Sequence, residues 1–116
     1  MEFMILIYAD EQVYERMSEA QIADVMAAYG VYESEMRVAG VMRHGAELAS
    51  VRKARTVRVR KGEPAITDGP FAETKECLGG YFLIDCADMD EAVKWASRCP
   101  SAVDGSIEVR PVLSGA

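Results

Sequence analysis

Hydrophobic positions fall along the chain in two rhythms, and the switches between them mark the elements. Residues Phe3 to Tyr8 form an unbroken apolar run of strand length, the signature of a strand covered on both faces. Asp10 and Glu11 then open a polar connection. Beyond it the rhythm becomes helical. Ile22, Val25, Met26, Tyr29, Tyr32 and Met36 recur every three or four residues and predict one apolar face of a long helix. Ser18 and Gln21 have the spacing of a capping box, with Met17 and Ile22 placed as a hydrophobic staple. Gly40 sits where a left-handed C-terminal cap belongs.

The second half is read the same way. Val41 to Leu48 reads as a second, weaker strand. Thr56 to Arg60 alternates, with Val57 and Val59 predicted inward and Arg58 and Arg60 outward. Lys61-Gly62 is a turn signal, and Pro64 to Thr67 can return as a short edge strand, where proline is tolerated. Asp68, Gly69, Pro70 and Phe71 make a compact irregular loop. Gly79-Gly80 leads into another apolar strand, Tyr81 to Asp85. Asp88 and Glu91 open a second helix, whose inner face is Met89, Ala92, Val93 and Ala96 and which Pro100 stops. Ser106 to Val112 alternates again, with Ile107 and Val109 in and Glu108 and Arg110 out.

The order is β-α-β, a hairpin, then β-α-β. That predicts an α+β, ferredoxin-like split βαβ unit with an extra β-hairpin. The apolar runs 3–8 and 81–85 should be central strands and the alternating 41–48 and 106–112 the edges. Both helices cover one face of such a sheet, yet the central strands are apolar on both. A second copy packed sheet against sheet is the simplest cover, because soluble monomers rarely leave a large apolar patch in water. A homodimer is therefore expected.

Composition narrows the function classes. The 116 residues suit a single domain, 1–116, with half of them hydrophobic and 28% charged. The net charge of −6 weighs against nucleic acid and anionic membranes as partners. Charge is uneven, however. Residues 52–61 hold six of the 13 basic groups and no acid, leaving seven basic against 19 acidic groups elsewhere, a balance of −12. Such a ribbon reads first as a solvated hairpin and second as a surface for an acidic partner or anion. The three cysteines form no C-x-x-C pair and read as buried thiols of a reducing compartment. The N-terminus has neither a basic leader nor a spanning run, so a cytoplasmic protein is expected. The sequence has no metal-ligand spacing, phosphate loop or nucleophile elbow. No cofactor is expected.

The segment from Thr67 to Tyr81, with Asp68-Gly69-Pro70-Phe71, Glu73, Lys75, Glu76 and Leu78-Gly79-Gly80-Tyr81, resembles the DGPF branch of the YCII-related family. Met4 to Tyr8, Ala39-Gly40-Val41, Asp90-Glu91-Ala92 and Glu108 to Pro111 look like the same family, so the resemblance spans almost the whole chain. It implies a ferredoxin-like unit paired into a dimeric α+β barrel. Family members include many proteins without an assigned activity, some encoded near alternative sigma factors, and an aromatic dehydrochlorinase. In one branch a histidine early in the first helix is proposed to pair with an aspartate. Ser18 to Ala28 contains no histidine, so that dyad is not carried over.

Within the chain, Asp68 is the leading candidate for a general base, if the loop holds it desolvated at a cleft mouth. The plainer reading is a turn residue capping its own amides. Lys75 could bind an anion or partner Asp68, or simply be solvated. Tyr81 opens a central strand with a hydroxyl able to reach a cleft. Tyr8 and Asp10 end the first strand in a similar position, and Phe71 reads as a core plug before a substrate platform. His44, the single histidine, would be the second catalytic candidate if paired with Asp68 or Asp10, though a lone strand histidine is more often structural. Two functions follow: a cofactor-free enzyme or binder of small acidic or aromatic molecules, or a non-catalytic interaction or regulatory module.

Overall fold

The structure is a computed structural model and describes residues 1–113. Strand β1 (Glu2–Ala9) is followed by a short helix, α1 (Glu11–Glu15), and the long helix α2 (Glu19–Val38). Then come β2 (Met42–Glu47), β3 (Arg55–Arg60), β4 (Glu63–Asp68), β5 (Cys77–Asp85), α3 (Met89–Ser97) and β6 (Ser106–Pro111). Four strands form one antiparallel sheet in the order β2-β5-β1-β6, consistent with the ferredoxin-like arrangement. The two apolar runs are central and the alternating ones are edges, as their patterns predict. Strands β3 and β4 form a separate two-stranded sheet.

Local signals act where they were read. Ser18 Oγ accepts the Gln21 amide at 3.1 Å, and Gln21 Oε1 accepts the Ser18 amide at 2.9 Å. At the other end of α2, Gly40 adopts φ +75°. The Gly40 amide donates to Arg37 and the Val41 amide to Met36, a Schellman cap with Val41 buried behind it. Asp88 caps α3 through the Glu91 amide at 2.9 Å. Lys61 and Gly62, both at positive φ, make the two-residue hairpin turn.

The core lies between the helices and one face of the sheet. Phe3, Ile5 and Ile7 from β1 and Phe82 and Ile84 from β5 point into it, meeting Tyr32, Met36, Ala92, Ala96 and Cys99. Phe82 lies edge-on to the Tyr32 ring, with centroids 5.6 Å apart. Beside it the Tyr14 and Tyr29 hydroxyls meet at Ser101 Oγ, at 2.9 and 2.5 Å, and Tyr32 donates to the Trp95 carbonyl at 2.8 Å. The N-terminal amine is tied to Asp85 and to the Cys86 carbonyl, each at 3.0 Å.

Four readings are corrected. Asp10 and Glu11 do not open a plain connection: Asp10 caps α1 by accepting the Gln12 amide at 3.0 Å. Only the C-terminal part of the α2 stripe is buried, and Ile22 and Met26 stand exposed. Val57 and Val59 do not point inward, since among the described residues no layer covers the β3–β4 hairpin. Phe71 plugs nothing and stands 79% exposed.

Burial raises the Cys99 thiol and pushes the Tyr29 and Tyr32 phenols well above their usual range. Their unfolded counterparts ionise from the ordinary values of 9.0 and 10.0. The stability these groups contribute is thus complete below the thiol value and is lost as pH rises toward the folded values. The urea midpoint should hold up to about pH 8 and fall steadily by about pH 10.5. A flat profile would mean that water reaches this cluster.

Candidate functional site

Alternation in the central strands gives the sheet a second apolar face, turned away from both helices. Met4, Leu6 and Tyr8 occupy it from β1, opposite in sense to Phe3, Ile5 and Ile7. Tyr81 and Leu83 occupy it from β5, between the inward Phe82 and Ile84. Cross-strand register sets Leu6 beside Tyr81 and Met4 beside Leu83. On the edge strand β6, Glu108 and Arg110 align with Leu6 and Met4 and pair with one another.

Two irregularities shape this face. Between Met42 and His44 the β2–β5 register slips by one residue, so Arg43 is the extra residue of a bulge. Met42 packs on the helix-side core, and His44, two residues on, emerges on the opposite face beside Leu83. Strict alternation would have put both on one face. Gly45 confirms the sense: a Cβ there would lie 2.5 Å from Cδ1 of the buried Phe82 ring, on the helix side. A second slip, between Ile7 and Tyr8, makes Gly79 the extra residue of β5 and places Leu78 beside Tyr8.

The chemistry lies where the first bulge aims. His44 Nδ1 is 2.7 Å from the Tyr81 hydroxyl, with the rings stacked at 30° and centroids 5.6 Å apart. The bond can run either way, from phenol to neutral imidazole or from Nδ1–H to the phenol oxygen. Either way Nδ1 is engaged and Nε2 is the nitrogen left for another molecule. An imidazole held by a phenol on an apolar surface can take up or give a proton at Nε2.

Of the sequence candidates, His44 and Tyr81 are in direct contact and Tyr8 shares their face. The structure does not join His44 to Asp68 or Asp10. Asp10 is occupied as the α1 cap. Asp68 ends β4, with its side chain 92% exposed and Arg55 Nε at 3.5 Å, so it is not desolvated in the single chain. Lys75 and Phe71 are exposed in the β4–β5 loop, and the ion pair of Asp68 is with Arg55, not Lys75. The His44–Tyr81 pair had no local signal, because the bulge at Arg43 decides which side His44 faces.

A rival concavity of about 690 Å3 lies on the helix side, between α2 and the segment Pro100 to Asp104. Its buried hydroxyls face one another at Ser101, and Arg98 at its rim is paired with Glu35. It offers no histidine, and its tyrosine and serine hydroxyls and Arg98 are already engaged. Among the described residues no cluster of His, Cys, Asp or Glu is placed to hold a metal ion, and no helix is long and apolar enough to cross a membrane.

The comparison with known proteins covers this whole arrangement. The family model of the YCII-related domain matches residues 1–114. The chain belongs to the YCII-related family. An uncharacterized protein of Rhizobium meliloti (strain 1021) is 40% identical over 114 residues, which cover 97% of this chain and 92% of that one. The YCII-related match includes both bulged strands and the histidine–tyrosine pair that they bring together.

Two substitutions check the geometry. Gly45→Ala should cost about 1–3 kcal/mol in urea unfolding, because its Cβ meets the Phe82 ring in a packed core. Tyr81→Phe should leave the fold intact and shift the imidazole nitrogen resonances of His44 toward those of an imidazole bonded to water. Unchanged resonances would show that the pair does not form in solution.

Proposed function

We propose that the chain works as a homodimer in which the apolar sheet faces pack together as an α+β barrel. In this reading the His44–Tyr81 pair binds small acidic or aromatic molecules in the space between the sheets. The observation that carries it is the 2.7 Å contact between His44 Nδ1 and the Tyr81 hydroxyl on a face that no other layer among the described residues covers. Desolvation by a second sheet would strengthen every polar interaction there. His44 Nε2 then serves as the general base, or, once protonated, as the partner of a carboxylate or phenolate. Tyr81 orients the ring through Nδ1. Tyr8 adds an aromatic wall on the same face. No step calls on a cofactor.

The second reading, a non-catalytic interaction or regulatory module, is favoured by one observation: Arg58 and Arg60 are exposed on the free hairpin. The DGPF loop keeps its place in the first reading only if the partner brings Asp68 or Lys75 to the sheet face.

A thermal-shift screen against small phenols and aromatic acids separates these readings. A ligand at a hundredfold excess over its Kd stabilises the folded state by about 2.7 kcal/mol, a shift of several degrees. The shift should vanish in His44→Gln and in Tyr81→Phe and persist in Asp68→Asn. Loss in Asp68→Asn alone would move the site to the loop. No shift with any compound would favour the interaction module.

A further inference from the structure

Among the described residues nothing covers the apolar side of the β3–β4 hairpin. Register puts Val57 beside Ile66 and Val59 beside Pro64 on one face, and Val57, Val59 and Ile66 are 59, 59 and 65% exposed. An isolated two-stranded hairpin is marginal in water without a cover. Yet its root is firmly held. Glu11 accepts the Val51 amide at 2.9 Å and the Ser50 hydroxyl at 2.8 Å, and Arg52 meets Glu15 at 2.7 Å. Gly69 donates to the Ala54 carbonyl at 2.7 Å, and Thr56 donates to the Gly69 carbonyl at 2.8 Å. Helix α1 thus directs the hairpin as an arm.

The arm leads outward. The chain measures 48 × 45 × 18 Å, with a radius of gyration of 16.2 Å, against about 13 Å for a compact chain of this length. A thickness of 18 Å has room for one sheet and one helix layer, so the arm extends within the slab and folds over neither broad face.

We propose that the arm crosses to a second copy of this chain and seals the margin of that copy's sheet face, so that each site is completed in trans. This rests on the stacking of sheet faces proposed above. Two further observations support a second copy as the occupant. The four-stranded face is about 20 by 25 Å, roughly 500 Å2 in plan, whereas each partner in a stable interface buries roughly 800 Å2. The stripe of Val57, Val59 and Ile66 is placed to supply the difference. Charge also fits: the arm and its approach, residues 52–68, carry six basic and two acidic groups, and the rest of the chain has a balance of −10. A polyanion such as nucleic acid would meet repulsion from that acidic body.

The test uses the full chain in sedimentation experiments. Val57→Asp/Ile66→Asp alters side chains already exposed in the single chain, so the far-UV circular dichroism should not change. The dimer Kd should rise at least about tenfold, since burial of two such side chains is lost. Leu6→Asp tests sheet stacking separately. A dimer weakened by Leu6→Asp but not by the arm variant overturns the arm proposal and leaves stacking standing. A dimer weakened by the arm variant alone removes stacking, and with it the sealing of the partner's sheet face by the arm. A wild type that stays monomeric overturns both. As a direct reading, a spin label at Lys61→Cys in a Cys77→Ser chain is mixed with an isotope-labelled wild-type chain. Loss of amide signal intensity around Leu6 and Tyr81 in the labelled copy is the expected result, and its absence in a dimeric sample overturns crossing.

Discussion

The pairing of β1 with β5 governs the rest of this molecule. These two strands sit side by side at the centre of the sheet, and each is apolar on both faces. On one side Phe3, Ile5, Phe82 and Ile84 create a surface that only the helices can cover, and α2 and α3 do so with Tyr32, Met36, Ala92 and Ala96. Burial there is the main source of stability, at roughly 1.5–3 kcal/mol for each large side chain. On the other side the same alternation leaves Met4, Leu6, Tyr81 and Leu83 without a layer. A two-layer fold has one cover to offer, so a doubly apolar centre creates a demand that the chain alone does not meet.

The chemistry grows from that uncovered side. A histidine at an edge strand is ordinary, and so is a tyrosine at the head of a central one. Here a one-residue bulge at Arg43 turns His44 away from the core and onto the Tyr81 ring, while Gly45 gives the Phe82 ring the space a side chain would have taken. The dipeptide therefore separates two jobs. His44 faces the candidate site, and Gly45 preserves the packing beneath it. The buried hydroxyl cluster at Ser101 on the opposite side is satisfied internally and reads as structure.

The hairpin, the DGPF loop and α1 form a second system, outside the sheet. Glu11 and Glu15 turn α1 into an anchor for the segment that leads to the arm. Asp68 closes the last rung opposite Arg55, and Gly69, at φ +92°, turns the chain out of the strand. The Asp68-Gly69-Pro70-Phe71 loop therefore sits at the base of an exposed arm, outside the lining of the helix-side concavity.

Much of this was legible in the residues alone, wherever the deciding interaction is local. The Ser18–Gln21 box, the Gly40 cap, the Lys61-Gly62 turn and the Asp88 cap each need only a few neighbours, and the length and continuity of the apolar runs rank the strands. The side on which His44 emerges needed a register slip between strands 37 residues apart in sequence, and no local pattern encodes that. The same limit explains Val57, Val59 and Phe71. Their apolar character showed that they want a cover, but whether one exists within the chain depends on where the hairpin lies relative to the helices. Periodicity reports the hydrophobicity of each face. Only the tertiary arrangement decides which faces meet, because that depends on the register, bulges and tethers of distant segments acting together.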